Sequence, residues 1–169
     1  HATLAQRAGH RLWLSAHRHL GHRPSGAQAI LGVEPNATML NEGIDIIAGA
    51  DLIAEKRPNF TNSDAFDFGF GAAETPFFDI ALARSIFTHT SKAQMTQCCE
   101  NLSKHMKPGG LFLLSFIPPK LFGSEYSGDS WIGKSHESDE AGLAFFRKRT
   151  IVNLARPFGF EDAKAESFG

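Results

Sequence analysis

The chain has 169 residues, 42% hydrophobic and 21% charged, with a formal net charge of −1. These are the proportions of one globular domain that buries its own core. The near-neutral charge gives no grounds for nucleic acid or an anionic membrane as the main partner. The two cysteines are neighbours, Cys98-Cys99, a placement that rarely forms a disulfide and points to buried thiols in a reducing compartment.

Leu4, Ala8, Leu12, Trp13, Ala16 and Leu20 recur near helical spacing and predict a helix over 3–20. A loop, GHRPSGAQ, precedes an apolar run of strand length, AILGV at 29–33. Pro35 suits a first helical turn, and Met39, Leu40, Ile44 and Ile47 give an apolar face up to Gly49. Residues 50–58 fit neither period, and NFTNS at 59–63 reads as a short strand ending at Asp64. After the loop DFGFGAAETP comes FFDIALARS at 77–85, the near-continuous apolar run of a strand covered on both faces. Ser91 and Gln94 have capping-box spacing, and Met95, Cys98, Cys99, Leu102 and Met106 mark one face of the helix they open. That helix is expected to stop at KPGG, whose double glycine turns the chain into the strongest strand, LFLLSFI at 111–117. Residues 118–142 are polar and turn-rich, an irregular insertion of the kind that forms lids. A helix near 143–156 and a strand beginning in EDAKAES close the chain, which reads as a single domain over 1–169.

Strands alternating with helices predict an α/β fold: a Rossmann-like, doubly wound, mostly parallel sheet with helices on both faces. Ligands of such sheets bind beyond the carboxyl ends of the strands. The informative residues are therefore Glu34-Pro35, Asp64-Ala65, Arg84-Ser85 and Ser115-Phe116. A carboxylate at Glu34 presents several lone pairs to the vicinal diol of a ribose, or serves simply as a charge at a helix start. Asp64 is placed to accept from the exocyclic amine of an adenine while small Ala65 admits the base, or it is a plain Asx turn.

In order, GVEPNATML, SDAFDF, FDIALARSIFTHT, a capped helix and KPGGLFLLSF resemble the class I S-adenosylmethionine-dependent methyltransferases over roughly residues 29–117. The resemblance is to the members that act on small molecules. It implies S-adenosyl-L-methionine as cofactor and methyl transfer to a small-molecule acceptor. It assigns Glu34, with Pro35 beside it, to the ribose hydroxyls, and Asp64 and Ala65 to the adenine. Ala83, Arg84 and Ser85 fall by the methionine end and the acceptor. His89 is then an acid/base candidate near the acceptor, or a helix-start residue packing against the loop. Arg84 either holds a substrate carboxylate or phosphate or pairs with a neighbouring acid.

The family's glycine-rich cofactor turn, D/E-x-G-x-G-x-G, would fall near LAQRAGHRLW, where only Gly9 matches and Arg7 would crowd the backbone approach. The first and last strands of the family pattern are missing as well, and the chain does not begin with Met. Either the chain is a piece of a longer protein, or the domain has lost its cofactor site and acts as a binding module. A nicotinamide dinucleotide domain is a third reading, disfavoured by the KPGG return and the absence of G-x-G-x-x-G. His10, His17, His19 and His22 lack a partner acid or cysteine and read as a solvated basic face, so no metal is expected. Tyr126, Trp131 and His136 lie in the irregular insertion. No run approaches the roughly 18 apolar residues of a membrane span, and HATLAQRAGH is no secretory signal, so the expectation is a cytoplasmic protein without a membrane partner.

Overall fold

A computed structural model describes residues 9–16, 30–68, 78–129, 132 and 142–168. The loop at 21–28 and residues His17, His19, His22, Trp131 and His136 lie outside them. The architecture is mixed α/β. Its order is β1 (Gly9–Ala16), β2 (Leu31–Val33), α1 (Ala37–Glu42), a π-helical stretch (Gly43–Ala48), α2 (Gly49–Lys56), β3 (Asn59–Thr61) and β4 (Phe78–Ala83). There follow α3 (Lys92–Ser103), β5 (Met106–Phe116), α4 (Lys148–Ala155), a short 3-10 turn (Arg156–Phe158) and β6 (Phe160–Phe168). The chain divides into two compact units, one containing β1, β4, β5, β6, α3 and α4, the other β2, β3, α1 and α2.

The larger unit is built on a four-stranded sheet in the order β4-β5-β1-β6. β4 and β5 run parallel, while β1 is antiparallel to both β5 and β6. Strand residues alternate faces, so Phe112, Leu114 and Phe116 of β5 share one face, and all three are buried. Phe87 meets Phe112 edge-on at 5.9 Å between ring centroids, and the Phe160 ring lies 5.8 Å from it at a tilt. Helix α3 contributes Met95, Cys98, Cys99 and Leu102 to the same core, and α4, packed against it, contributes Ile151, Val152 and Ala155. Phe87, Phe112 and Phe160 thus form the aromatic centre between the helices and one sheet face.

The capping box at the start of α3 is complete: Ser91 Oγ accepts from Gln94 N at 3.2 Å, and Gln94 Oε1 accepts from Ser91 N at 2.9 Å. Helix α4 begins at Lys148, later than the spacing predicts, because the residues before it are held extended. Ala144 N donates to Thr88 O at 2.7 Å and Phe146 N to Ile117 O at 3.0 Å. Glu125 organises the start of α4, accepting on Oε1 from Arg147 N at 2.6 Å and Thr150 Oγ1 at 2.7 Å.

Two local expectations are corrected. Residues 9–16 form a strand, not part of a helix over 3–20. Both edges of β1 are paired, and that backbone pairing overrides a weak helical spacing. The KPGG segment is not a turn ahead of the strand, because β5 already starts at Met106. Pairing with β4 jumps from Phe78↔Met106 to Ile80↔Leu111, so Lys107–Gly110 form a bulge within the parallel ladder. Gly109 has φ +78°, and a Cβ on Gly110 would come within 2.9 Å of Lys107 O, so the bulge needs both glycines. Lys107 Nζ fixes it across the ladder with two 2.8 Å bonds to the Asp79 carboxylate.

The smaller unit pairs β2 with β3 in parallel, Leu31↔Asn59 through Val33↔Thr61. Gly32 faces Phe60, whose ring would stand 2.7 Å from any Cβ at that position. The helical stretch predicted after Pro35 runs to Gly49 and continues as α2 through residues that the sequence pattern does not resolve. Among the described residues no helix is long and apolar enough to cross a membrane.

Two stability outcomes follow from these contacts. Phe112→Ala removes the ring shared by Phe87 and Phe160 and is expected to cost about 3–5 kcal/mol in urea unfolding, with Phe112→Leu costing markedly less. Burial pushes the Glu125 carboxyl up, but the Thr150 hydroxyl, the Arg147 N–H and the Lys92 ammonium outweigh it and leave the group below its ordinary value of 4.5. A depressed folded value means that Glu125 stabilises the fold above its unfolded pKa and stops doing so as pH falls through the folded one. Glu125→Gln should therefore lower the melting temperature at neutral pH and flatten the acid limb of the stability profile.

Candidate functional site

Each unit places expected site residues at the carboxyl ends of parallel strands. In the smaller unit the β2–β3 ladder continues one step past β2, where Glu34 N donates to Thr61 O at 3.1 Å. Glu34 leaves β2 at the same end from which Asp64 follows β3, so one sheet end carries both acids. Glu34 is half-buried; its Oε1 accepts from Asn36 N at 2.9 Å, and Asn36 Oδ1 in turn caps α1 through Met39 N. This chain of two bonds orients the carboxylate and starts the helix together. One carboxylate oxygen is engaged in it, and a carboxylate has lone pairs beyond those one N–H uses.

Asn62 braces the two strand ends. Its Nδ2 donates to Glu34 O at 2.7 Å and to Pro35 O at 2.9 Å. Asp64 and Ala65 are exposed and lie in a tight turn where Ala65 N donates to Ser63 Oγ at 3.2 Å and Ser63 Oγ to Asp67 Oδ1 at 2.8 Å. Phe66 and Phe68 both adopt positive φ, 53° and 58°, in this turn. Left-handed backbone at bulky residues is uncommon and costs energy, and it gathers at ligand-binding loops.

In the larger unit β4 ends at buried Ala83, and exposed Arg84 and Ser85 turn away from it. Ser85 has φ +59°. Its peptide is held on both sides: Ser85 N donates to Ser115 Oγ at 2.6 Å, and Thr88 Oγ1 donates to Ser85 O at 2.8 Å. Ser115 belongs to β5, the parallel neighbour, so the two strand ends are tied by a side chain where the ladder stops. Among the described residues Arg84 forms no ion pair.

His89 sits half-buried in the turn that follows. Its Nδ1 is 2.7 Å from Gly142 O. A carbonyl only accepts, so Nδ1 carries the proton, and the neutral ring has its basic nitrogen at Nε2. The backbone adds two ties to the irregular segment: Ile132 N donates to His89 O at 2.8 Å, and Ala144 N to Thr88 O. The Thr88-His89 turn thus anchors that segment at Ile132 and at its carboxyl end.

The acids and the β4 end were legible in the sequence as residues that follow strands. The bracing role of Asn62 and the Ser115–Ser85 bond were not, because both join positions about 30 residues apart. Gly9, the sole match to a glycine turn, begins β1 and pairs with Phe168. Among the described residues no group of three or more His, Cys, Asp or Glu is placed to hold a metal ion. No protein-family model matches the chain, and no curated protein matches it.

Cys98 and Cys99 are buried in α3. Burial, with the neighbouring Cys99, raises the Cys98 thiol well above its ordinary value, and burial pushes Cys99 up to about 12. Neither is thiolate at neutral pH, so neither serves as a nucleophile. Labelling of the folded protein with a thiol-specific disulfide reagent should be slower by orders of magnitude than labelling in urea, and should recover two thiols per chain on unfolding.

Proposed function

We propose that the chain is a class I methyltransferase-like domain of Rossmann-like, doubly wound type, transferring a methyl group from S-adenosyl-L-methionine to a small-molecule acceptor in the cytoplasm. The observation that carries the reading is the shared position of Glu34 and Asp64, one sheet end of two directly paired parallel strands. Glu34 stands one residue beyond β2 and Asp64 three beyond β3, and neighbouring strands are spaced about 5 Å apart, so both acids leave the same end of one ladder, as the ribose and base of one nucleoside require.

Under this reading Glu34 and Pro35 hold the ribose, and Asp64 and Ala65 the adenine. The sequence resemblance gives Ala83, Arg84 and Ser85 the methionine end and the acceptor. The bound cofactor supplies an electrophilic methyl group. The residues of the chain bind and align, and alignment alone lowers such a barrier by several kcal/mol without a nucleophilic side chain. His89, with its basic nitrogen at Nε2, is the candidate to take a proton from an acceptor that needs deprotonation.

The second reading, a binding module without methyl transfer, is favoured by Gly9–Ala16. Gly9, the last glycine position of the expected turn, opens a strand paired on both edges, and the earlier positions, Ala5 and Arg7, lie outside the described residues.

Isothermal titration with S-adenosylhomocysteine separates the two. The methyltransferase reading expects saturable one-to-one binding. Charge-assisted hydrogen bonds are worth about 1.5–3 kcal/mol, so Glu34→Ala should weaken binding by about tenfold or more. No heat with either S-adenosylmethionine or S-adenosylhomocysteine, in a sample shown folded by circular dichroism, leaves the binding module. Binding that is indifferent to Glu34→Ala removes the ribose assignment.

A further inference from the structure

The most exposed large apolar side chains described in the protein are adjacent: Leu121 at 86% and Phe122 at 96%. They are the two central residues of a tight turn closed by Gly123 N donating to Lys120 O at 2.7 Å. Central turn positions ordinarily take glycine, proline, asparagine or aspartate, and two bulky apolar residues there leave most of their surface in water. The turn is also stiff. Pro118-Pro119 lead into it, and the Arg147 guanidinium donates from Nη2 to Gly123 O at 3.0 Å. A flexible loop could fold such residues back onto the protein, whereas this one holds them out.

Directly beneath the turn is a groove of about 340 Å³. Phe116, Pro118, Pro119 and one side of Leu121 form its apolar lining, and Lys120, Arg147 and Lys148 contribute three cationic side chains. The neighbouring acid is not paired with Lys120 or with the Arg147 guanidinium. Glu125 is committed to Arg147 N, to Thr150 Oγ1 and, at 3.5 Å, to Lys92. Among the described residues neither Lys120 nor the Arg147 guanidinium forms an ion pair.

We propose that this turn is a membrane-surface anchor: Leu121 and Phe122 enter the acyl boundary of an anionic bilayer while Lys120, Arg147 and Lys148 meet the lipid headgroups. An apolar tip with a basic collar matches the layering of such an interface, where apolar side chains gain burial a few ångströms below negatively charged groups. A protein partner is the weaker match. Two side chains on a convex turn fall far short of the roughly 800 Å² per partner of a standard interface. The anchor needs no spanning segment, so it is compatible with the absence of one among the described helices. It departs from the expectation that the chain has no membrane partner. It is also independent of methyl transfer.

The test is co-sedimentation of the full chain with phosphatidylcholine vesicles, with and without one third phosphatidylserine, at low and high salt. The expected result is binding to the anionic vesicles only, weakened by salt. It should fall about tenfold or more in Leu121→Ser/Phe122→Ser and less steeply in Lys120→Glu. Both substitutions lie at exposed positions, and circular dichroism should show an unchanged fold. The proposal is overturned by no binding to anionic vesicles at low salt, by equal binding to neutral vesicles, or by full binding of the double serine variant. Lipid-free dimerisation that the double serine variant abolishes would overturn it too, assigning the turn to a second copy of the chain.

Discussion

Both backbone edges of β5 are hydrogen-bonded, to β4 in parallel and to β1 antiparallel, and one of its faces is a row of buried side chains, Phe112, Leu114 and Phe116. A strand fixed in this way cannot slip. A shift of one residue would turn Phe112, Leu114 and Phe116 out of the core and bring Leu113 and Ser115 in. Everything else in the larger unit takes its position from that register. Phe87 and Phe160 pack against Phe112, α3 and α4 close over the same face, and Ser115 reaches the end of β4 because the ladder holds it there. The bulge at Lys107–Gly110 absorbs the extra residues upstream, so the register near the carboxyl ends is regular where chemistry is expected.

The smaller unit places its residues by another means. Among its described residues none is fully buried, and β2 and β3 are three residues each. Order at its strand ends comes from polar side chains: Asn62 across both carbonyls after β2, Asn36 between Glu34 and α1, Ser63 within the turn after β3. Hydrogen bonds of this exposed kind are individually modest, about 0.5–1.5 kcal/mol net. They act by directing groups. A ligand gripped by Glu34 and Asp64 would add its own bonds to those ends and so stabilise the unit that binds it.

The same logic sets the two functional readings against each other. The strand-end acids favour a nucleoside site, while Gly9, the one described position of the expected glycine turn, belongs to a strand paired on both edges. The described residues that follow β5 are held by the Thr88-His89 turn and the start of α4. The apolar tip at Leu121-Phe122 belongs to this held segment, which explains how two such residues remain extended from the surface.

Local chemistry determined much of this protein from the sequence alone. Ser91 and Gln94 cap a helix wherever the fold puts it, the apolar runs at 78–83 and 111–116 form strands, although Ile80 and Leu82 stay exposed and the first of these strands is not covered on both faces, and acids that follow strands emerge at a sheet end. The mixed α/β class was legible for the same reason. Tertiary structure decided what depends on partners distant in the chain. Residues 9–16 carry a spacing compatible with a helix, and only the open edges of β5 and β6 make them a strand. KPGG reads as a turn because two glycines usually are one, and only the mismatch with β4 makes it a bulge. Asn62 and Ser115 look like ordinary polar residues until strand pairing brings each to a backbone group 28 and 30 residues away. Backbone hydrogen bonding between strands has no local sequence period to announce it, and that is why these features waited for the fold.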